Sequence, residues 1–265
     1  MELKEYLDSL VEQYQVSTFI EDDPVQFVHM FEDRRDIEIV ALIVSTIAWG
    51  RRPMILRNAM RIIDMMHRRP LWYVLHGDFD EIDPDVNLHR TFFGRHLLYY
   101  LRGLRALYGQ FGGLEEFAAA QDAARSDAPA WVIASALSDY LRAANLAIDA
   151  PVPVPDRCLP SQVDKSALKR FNMALRWLVR PATTGIDTGV WTLLRPDQLF
   201  IPLDTHVAAN ARALGLMTRR QNDRRAVEEL TASLRAMRPD DPVAYDFALF
   251  AVTAGGEKIG PPTEH

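Results

Sequence analysis

Residues 36–49 read D-I-E-I-V-A-L-I-V-S-T-I-A-W, followed by Gly50. Apolar side chains recur on nearly every side of a 3.6-residue turn, whereas a surface helix needs only one dry stripe. The stretch predicts a helix buried among other helices, with Gly50 as its C-terminal stop. Amphipathic helical patterns follow at 54–66, where Arg57 and Arg61 stand one turn apart, and at 95–108 and 131–146. No alternating strand pattern of useful length competes, so the expected fold class is all-α.

The run A-P-V-P-V-P-D-R-C-L-P at 150–160 holds four prolines. Each lacks a backbone donor and restricts the residue before it, so the run reads as an extended connection. It is expected to separate an N-terminal helical lobe, 1–150, from a C-terminal helical segment, 151–254. A loose tail follows at 255–265, with room for the N- and C-terminal segments to share a lobe. Beyond the connection, helices are predicted at 165–179, 205–214, 224–237 and 242–252, with an irregular insert ending at Pro202.

Composition narrows the function classes. With 265 residues, 48% hydrophobic and 25% charged, the chain can bury a large core, which excludes disordered and fibrous proteins. No apolar run approaches the roughly 20 residues of a membrane-spanning helix, and 1–16 is too charged for a secretory h-region. A cytoplasmic protein is expected. Cys158 is the single cysteine, which removes disulfide frameworks, cysteine-rich zinc sites and iron–sulfur clusters. The net charge of −6 hides an uneven distribution, because residues 165–238 hold 13 Lys and Arg against 6 Asp and Glu. A locally basic surface suits phosphate, although solvated helix faces show similar excesses.

Two features in that basic segment carry chemistry. In I-P-L-D-T-H-V at 201–207, Pro202 interrupts regular structure and Asp204 stands where a helix N-cap belongs. Its ordinary role is to accept hydrogen bonds from the first helical amides; a carboxylate held there could also stabilise positive charge or orient a nucleophile. His206 beside it does not complete a metal site, because residues two apart on a helix diverge. The second feature is lysine scarcity: Lys4, Lys165, Lys169 and Lys258 are the four lysines of the chain. Lys165 and Lys169 are expected on one face of the 165–179 helix, continued by Met173 and Arg176, with Phe171, Leu175 and Leu178 on the buried side. An amine nucleophile must be neutral, and positive neighbours such as Arg170 favour that state. Solvation or phosphate binding by both lysines is the competing reading.

The stretch I-P-L-D-T-H-V-A-A-N-A-R-A-L-G at 201–215 resembles the V-D-T-H-V-x-R-V-x-x-R-L-G segment of the endonuclease III-like, helix-hairpin-helix superfamily of DNA glycosylases. K-R-F-N-M-A-L-R-W at 169–177 resembles the helix of the archaeal 8-oxoguanine DNA glycosylases that begins with their Schiff-base lysine. Y-D-F-A-L-F-A at 245–251 stands where the superfamily has its closing helix. Over about 23–254 the chain also resembles an uncharacterised bacterial family that brings no activity with it. The glycine-rich hairpin of the glycosylases is replaced here by L-P-S-Q-V-D-K at 159–165, and in that register Lys165 takes the place of the endonuclease III lysine.

The resemblance implies a two-lobed helical fold with a cleft between the lobes. It implies a DNA glycosylase, with AP lyase activity, that removes an oxidised base, 8-oxoguanine in the archaeal case, during base excision repair. Asp204 would be the catalytic carboxylate and Lys169 the nucleophile, with Lys165 as the alternative. The partner would be double-stranded DNA containing a damaged base, with no cofactor and no metal, and the protein a nucleoid-associated monomer. Flipping the nucleotide out of the duplex calls for stacking walls, for which Trp49, Trp177 and Trp191 are the candidates. Arg51 and Arg52, with Arg219, Arg220, Arg224 and Arg225, are the candidate DNA contacts. The rival reading is a noncatalytic helical nucleic-acid-binding protein on the same fold; a protein-interaction module is third.

Overall fold

The computed structural model describes residues 2–152 and 157–254. Residues 153–156 of the proline-rich connection and the tail at 255–265, with Lys258, lie outside the described residues. In chain order the elements are α1 (Leu3–Tyr14), α2 (Arg34–Ile47), α3 (Arg52–Met65), α4 (Pro70–His76), β1 (Asn87–His89), β2 (Phe92–Phe93), α5 (Gly94–Phe111), α6 (Leu114–Ala120), α7 (Pro129–Leu146), α8 (Lys169–Val179), α9 (Thr205–Ala213), α10 (Arg224–Met237) and α11 (Tyr245–Ala254), joined by short 3₁₀ turns. The fold is all-α. Among the described residues the exception to the purely helical expectation is a two-stranded antiparallel hairpin, β1 with β2, too short to leave an alternating signature. Among the described residues no helix is long and apolar enough to cross a membrane.

The chain divides into two compact units, residues 20–163 and residues 1–19 together with 164–265. In the first unit, α2 is the buried centre. Asp33 caps it by accepting from the Arg35 amide, and every residue from Ile37 to Ile47 is buried. The helix ends at Ile47, two residues short of the predicted end, and Trp49 stands beyond it, half-buried against His89 and Arg90. Glu38, fully buried, is held by the Tyr108 hydroxyl (2.8 Å) and by the amides of Leu114 (2.9 Å) and Glu115 (3.3 Å), so a carboxylate of α2 caps the start of α6. Arg34 balances it with ion pairs to Glu38, Glu115 and Glu116. Helices α5 and α7 cross closely at Gly103, where any Cβ would meet the Leu141 side chain.

The second unit carries the candidate chemistry. Helix α11 packs on α1 and α9. Asn210 of α9 donates to the Leu249 carbonyl (2.7 Å), and the Tyr245 hydroxyl donates to Asp8 of α1 (2.8 Å). Helix α8 is buried around its whole circumference from Phe171 to Val179. The expectation that Met173 and Arg176 lie on an outward face is therefore corrected: Arg176 is 4% exposed. Acidic partners from other segments surround it. Its Nη1 donates to Asp246 Oδ2 (2.5 Å) and its Nε to Asp187 Oδ1 (3.3 Å), while Phe247 covers the guanidinium. Arg180, one turn on, grips Asp187 (2.6 Å), clasps Asp241 through both oxygens and reaches Gln15 (3.0 Å).

Candidate functional site

Lys165 and Lys169 do not share a helix. Lys165 ends a 3₁₀ turn, Val163–Lys165, and is exposed. Leu168 then takes the left-handed conformation, φ 47°, which breaks the path before α8 starts at Lys169. The break is held locally: the Leu168 amide donates to Ser166 Oγ (3.2 Å), and the Asn172 side chain donates to the Ala167 carbonyl (3.1 Å). The common face expected from a four-residue spacing is corrected, because that spacing has meaning only inside one continuous helix. Lys169 is half-buried. Its amine donates to Met173 Sδ (3.7 Å) and, among the described residues, forms no ion pair.

Asp204 is the N-cap of α9. Pro202 and Leu203 lead into it without regular secondary structure, with the Ile201 amide tied to Thr231 Oγ1 (3.2 Å). Asp204 Oδ1 accepts from the amides of His206 and Val207, both at 2.9 Å. Among the described residues its second oxygen accepts no hydrogen bond, so one oxygen builds the helix and the other is available for chemistry.

The residue that sequence reasoning missed is Asp246, the second residue of α11. It is buried, and that burial drives its carboxyl up to about 6; Arg176 opposes the rise, Asp204 adds to it and Lys169 opposes it. Lys169 and Asp204, at the starts of two helices, therefore both lie close enough to Asp246 to act on its charge. The cluster is one amine, two carboxyls and one buried guanidinium. In the sequence Asp246 looks like an ordinary acidic residue in the first turn of a helix. The one hint is the company it keeps, since an acidic side chain in an otherwise apolar Y-D-F-A-L-F-A needs a buried partner.

The remaining candidates separate by exposure and pairing. Trp177 is fully buried and Trp191 is 4% exposed, so neither presents a ring face to a ligand in this conformation; Trp49 is half-buried, with Arg90 over its ring at 4.5 Å. Arg51 is exposed and Arg52 half-buried at the start of α3. Between α9 and α10, Arg219 is bound to Asp223, Arg224 is paired with Glu228 (2.7 Å), and Arg220 and Arg225 are exposed.

A family model described as "Protein of unknown function (DUF2400)" matches residues 23–254. No curated protein and no solved structure matches the chain.

Proposed function

Because the chain belongs to the DUF2400 family, whose description assigns no activity, function must be argued from the site, and we propose a DNA glycosylase with lyase activity that uses Lys169 and Asp204. What supports the proposal is that Lys169, whose amine forms no ion pair among the described residues, and Asp204, one oxygen of which is unbonded there, both act on the charge of the buried Asp246. Breaking an N-glycosidic bond builds positive charge on the deoxyribose. Asp204 stabilises that charge while the Lys169 amine, once it has given up its proton, attacks C1′, and the base leaves with the bonding electrons and takes a proton from solvent. The proton shed by the attacking amine passes to a carboxylate of the cluster, which returns it to O4′ as the C1′–O4′ bond breaks; this opening of the sugar ring yields the Schiff base from which strand cleavage by elimination follows. The partner is duplex DNA with its damaged nucleotide flipped out, at a cost of a few kcal/mol. An oxidised purine such as 8-oxoguanine is the first substrate to try, on the motif resemblance of 169–177 alone.

The experiment is base release from a panel of lesion-containing duplexes. Wild type is expected to release at least one oxidised base. Asp204→Asn is expected to slow release by about 100-fold or more, with the cap largely retained because the amide oxygen still accepts from the His206 and Val207 amides. Wild type that binds the duplexes and releases nothing from any of them would replace this reading with the noncatalytic nucleic-acid-binding one, which the exposed Arg220 and Arg225 favour equally.

A further inference from the structure

The loop 215–223, between α9 and α10, is on the surface yet tightly braced from both helices. Arg212 of α9 donates from Nε to the Arg219 carbonyl (2.8 Å), and from Nη2 to the Arg220 carbonyl (2.9 Å) and Asn222 Oδ1 (2.7 Å). From α10, Glu229 accepts from the Thr218 amide (2.7 Å), the Thr218 hydroxyl (2.7 Å) and the Arg219 amide (3.3 Å). Asp223 caps α10 through the Ala226 amide (3.2 Å) and holds the Arg219 guanidinium from Nε (2.6 Å) and Nη2. The arginine holds this carboxyl down at about 2.

These contacts divide the arginines of the loop into two kinds. Arg212 and Arg219 spend their donors on the loop itself, and Arg224 is engaged with Glu228 (2.7 Å) and Asp164 (3.8 Å). Arg220 and Arg225 are exposed, and among the described residues their guanidinium groups have neither an ion pair nor a hydrogen bond. Both line one open recess together with Thr218, Arg219, Gln221 and Glu229. Glu229 keeps its negative charge while its oxygens accept from two amides and a hydroxyl, and Arg219 is neutralised by Asp223, so Arg220 and Arg225, whose own donors are free, leave the recess net positive. A surface loop normally loses freedom when it binds; one held beforehand by nine hydrogen bonds loses little more.

We propose that Arg220 and Arg225 form a clamp for one phosphodiester of the nucleic-acid backbone, with Arg219 and Arg224 as the structural supports of that clamp. The inference deepens the DNA-binding part of the proposed function and rests on it, but not on the lysine chemistry. Two guanidinium groups facing one recess match the several acceptor oxygens of a phosphodiester, and a phosphate contact of this kind positions a duplex without reading its sequence.

The test is fluorescence anisotropy of the full chain with a labelled undamaged duplex, over a salt series, with thermal unfolding of each variant alongside. Arg220→Gln with Arg225→Gln is expected to weaken binding roughly tenfold at low salt. It should also lower the slope of log affinity against log salt by about 0.9, one phosphate's share, without moving the unfolding midpoint. Arg224→Gln is expected to leave that slope unchanged, and Arg219→Gln to lower the midpoint. A slope lost with Arg224→Gln but kept in the double variant would overturn the assignment, as would wild type with no salt-dependent binding. Equal sensitivity of a labelled polyglutamate peptide to the double variant would replace the phosphate clamp by a general polyanion patch. The catalytic reading fails separately: absence of base release with the slope change intact leaves the clamp standing.

Discussion

Asp246 is the residue through which the cluster becomes measurable. Its carboxyl is held up at about 6 by burial and by Asp204 against the opposing pull of Arg176 and Lys169, whereas an unperturbed aspartate titrates at 3.8. Between those two values the folded chain holds a proton that the unfolded chain has released. This group's contribution to stability is therefore fully present below 3.8 and is lost as pH rises towards about 6. The Asp246→Asn variant removes that titration and keeps an oxygen for Arg176 to donate to. Urea unfolding at a series of pH values is expected to show wild type losing stability relative to the variant from pH 4 to 6, with no further change above about 7. A difference that stays level across the window would mean that Asp246 does not sit in the environment described.

At the scale of the element, α2 and α8 show what periodicity conveys and what it conceals. Unbroken apolar character at 36–49 made α2 legible as a buried helix, because burial on all sides needs nothing but hydrophobic side chains there. It did not reveal that Glu38, within that run, is the carboxylate that caps α6. Replacing it by Gln turns one acceptor oxygen into a donor facing the Tyr108 hydroxyl and the Leu114 amide, and leaves Arg34 with less charge to balance. Glu38→Gln is expected to cost about 3 kcal/mol, read by denaturant unfolding, and a loss below about 0.5 kcal/mol would refute the capping role. In α8 the sequence pattern located the helix but not its first turn. Ser166 to Leu168 offer no proline or glycine to mark a break, so Leu168's left-handed backbone was not legible, and the two lysines read as neighbours on one face. Burial of Arg176 and Arg180 escaped notice for a different reason: their partners, Asp187, Asp241 and Asp246, come from segments that only the fold brings together.

Over the whole molecule, the helical class was legible because its evidence is local and repeated, in the apolar periodicity of 36–49, 54–66, 95–108 and 131–146. The candidate site was half legible. Lys169 and Asp204 were singled out by scarcity and by a capping motif, whereas the third member, Asp246, depends on tertiary burial that no spacing encodes. The central claim, that Lys169 is an amine nucleophile assisted by Asp204, is tested most directly by borohydride trapping on a lesion-bearing duplex. Reduction of the imine would fix enzyme and DNA strand in a stable adduct. Wild type and Lys165→Gln are expected to give the adduct, Asp204→Asn to give it far more slowly, and Lys169→Gln to give none while still binding the duplex. An adduct formed by Lys169→Gln and missing in Lys165→Gln would contradict the account and transfer the nucleophile to the exposed lysine ahead of α8.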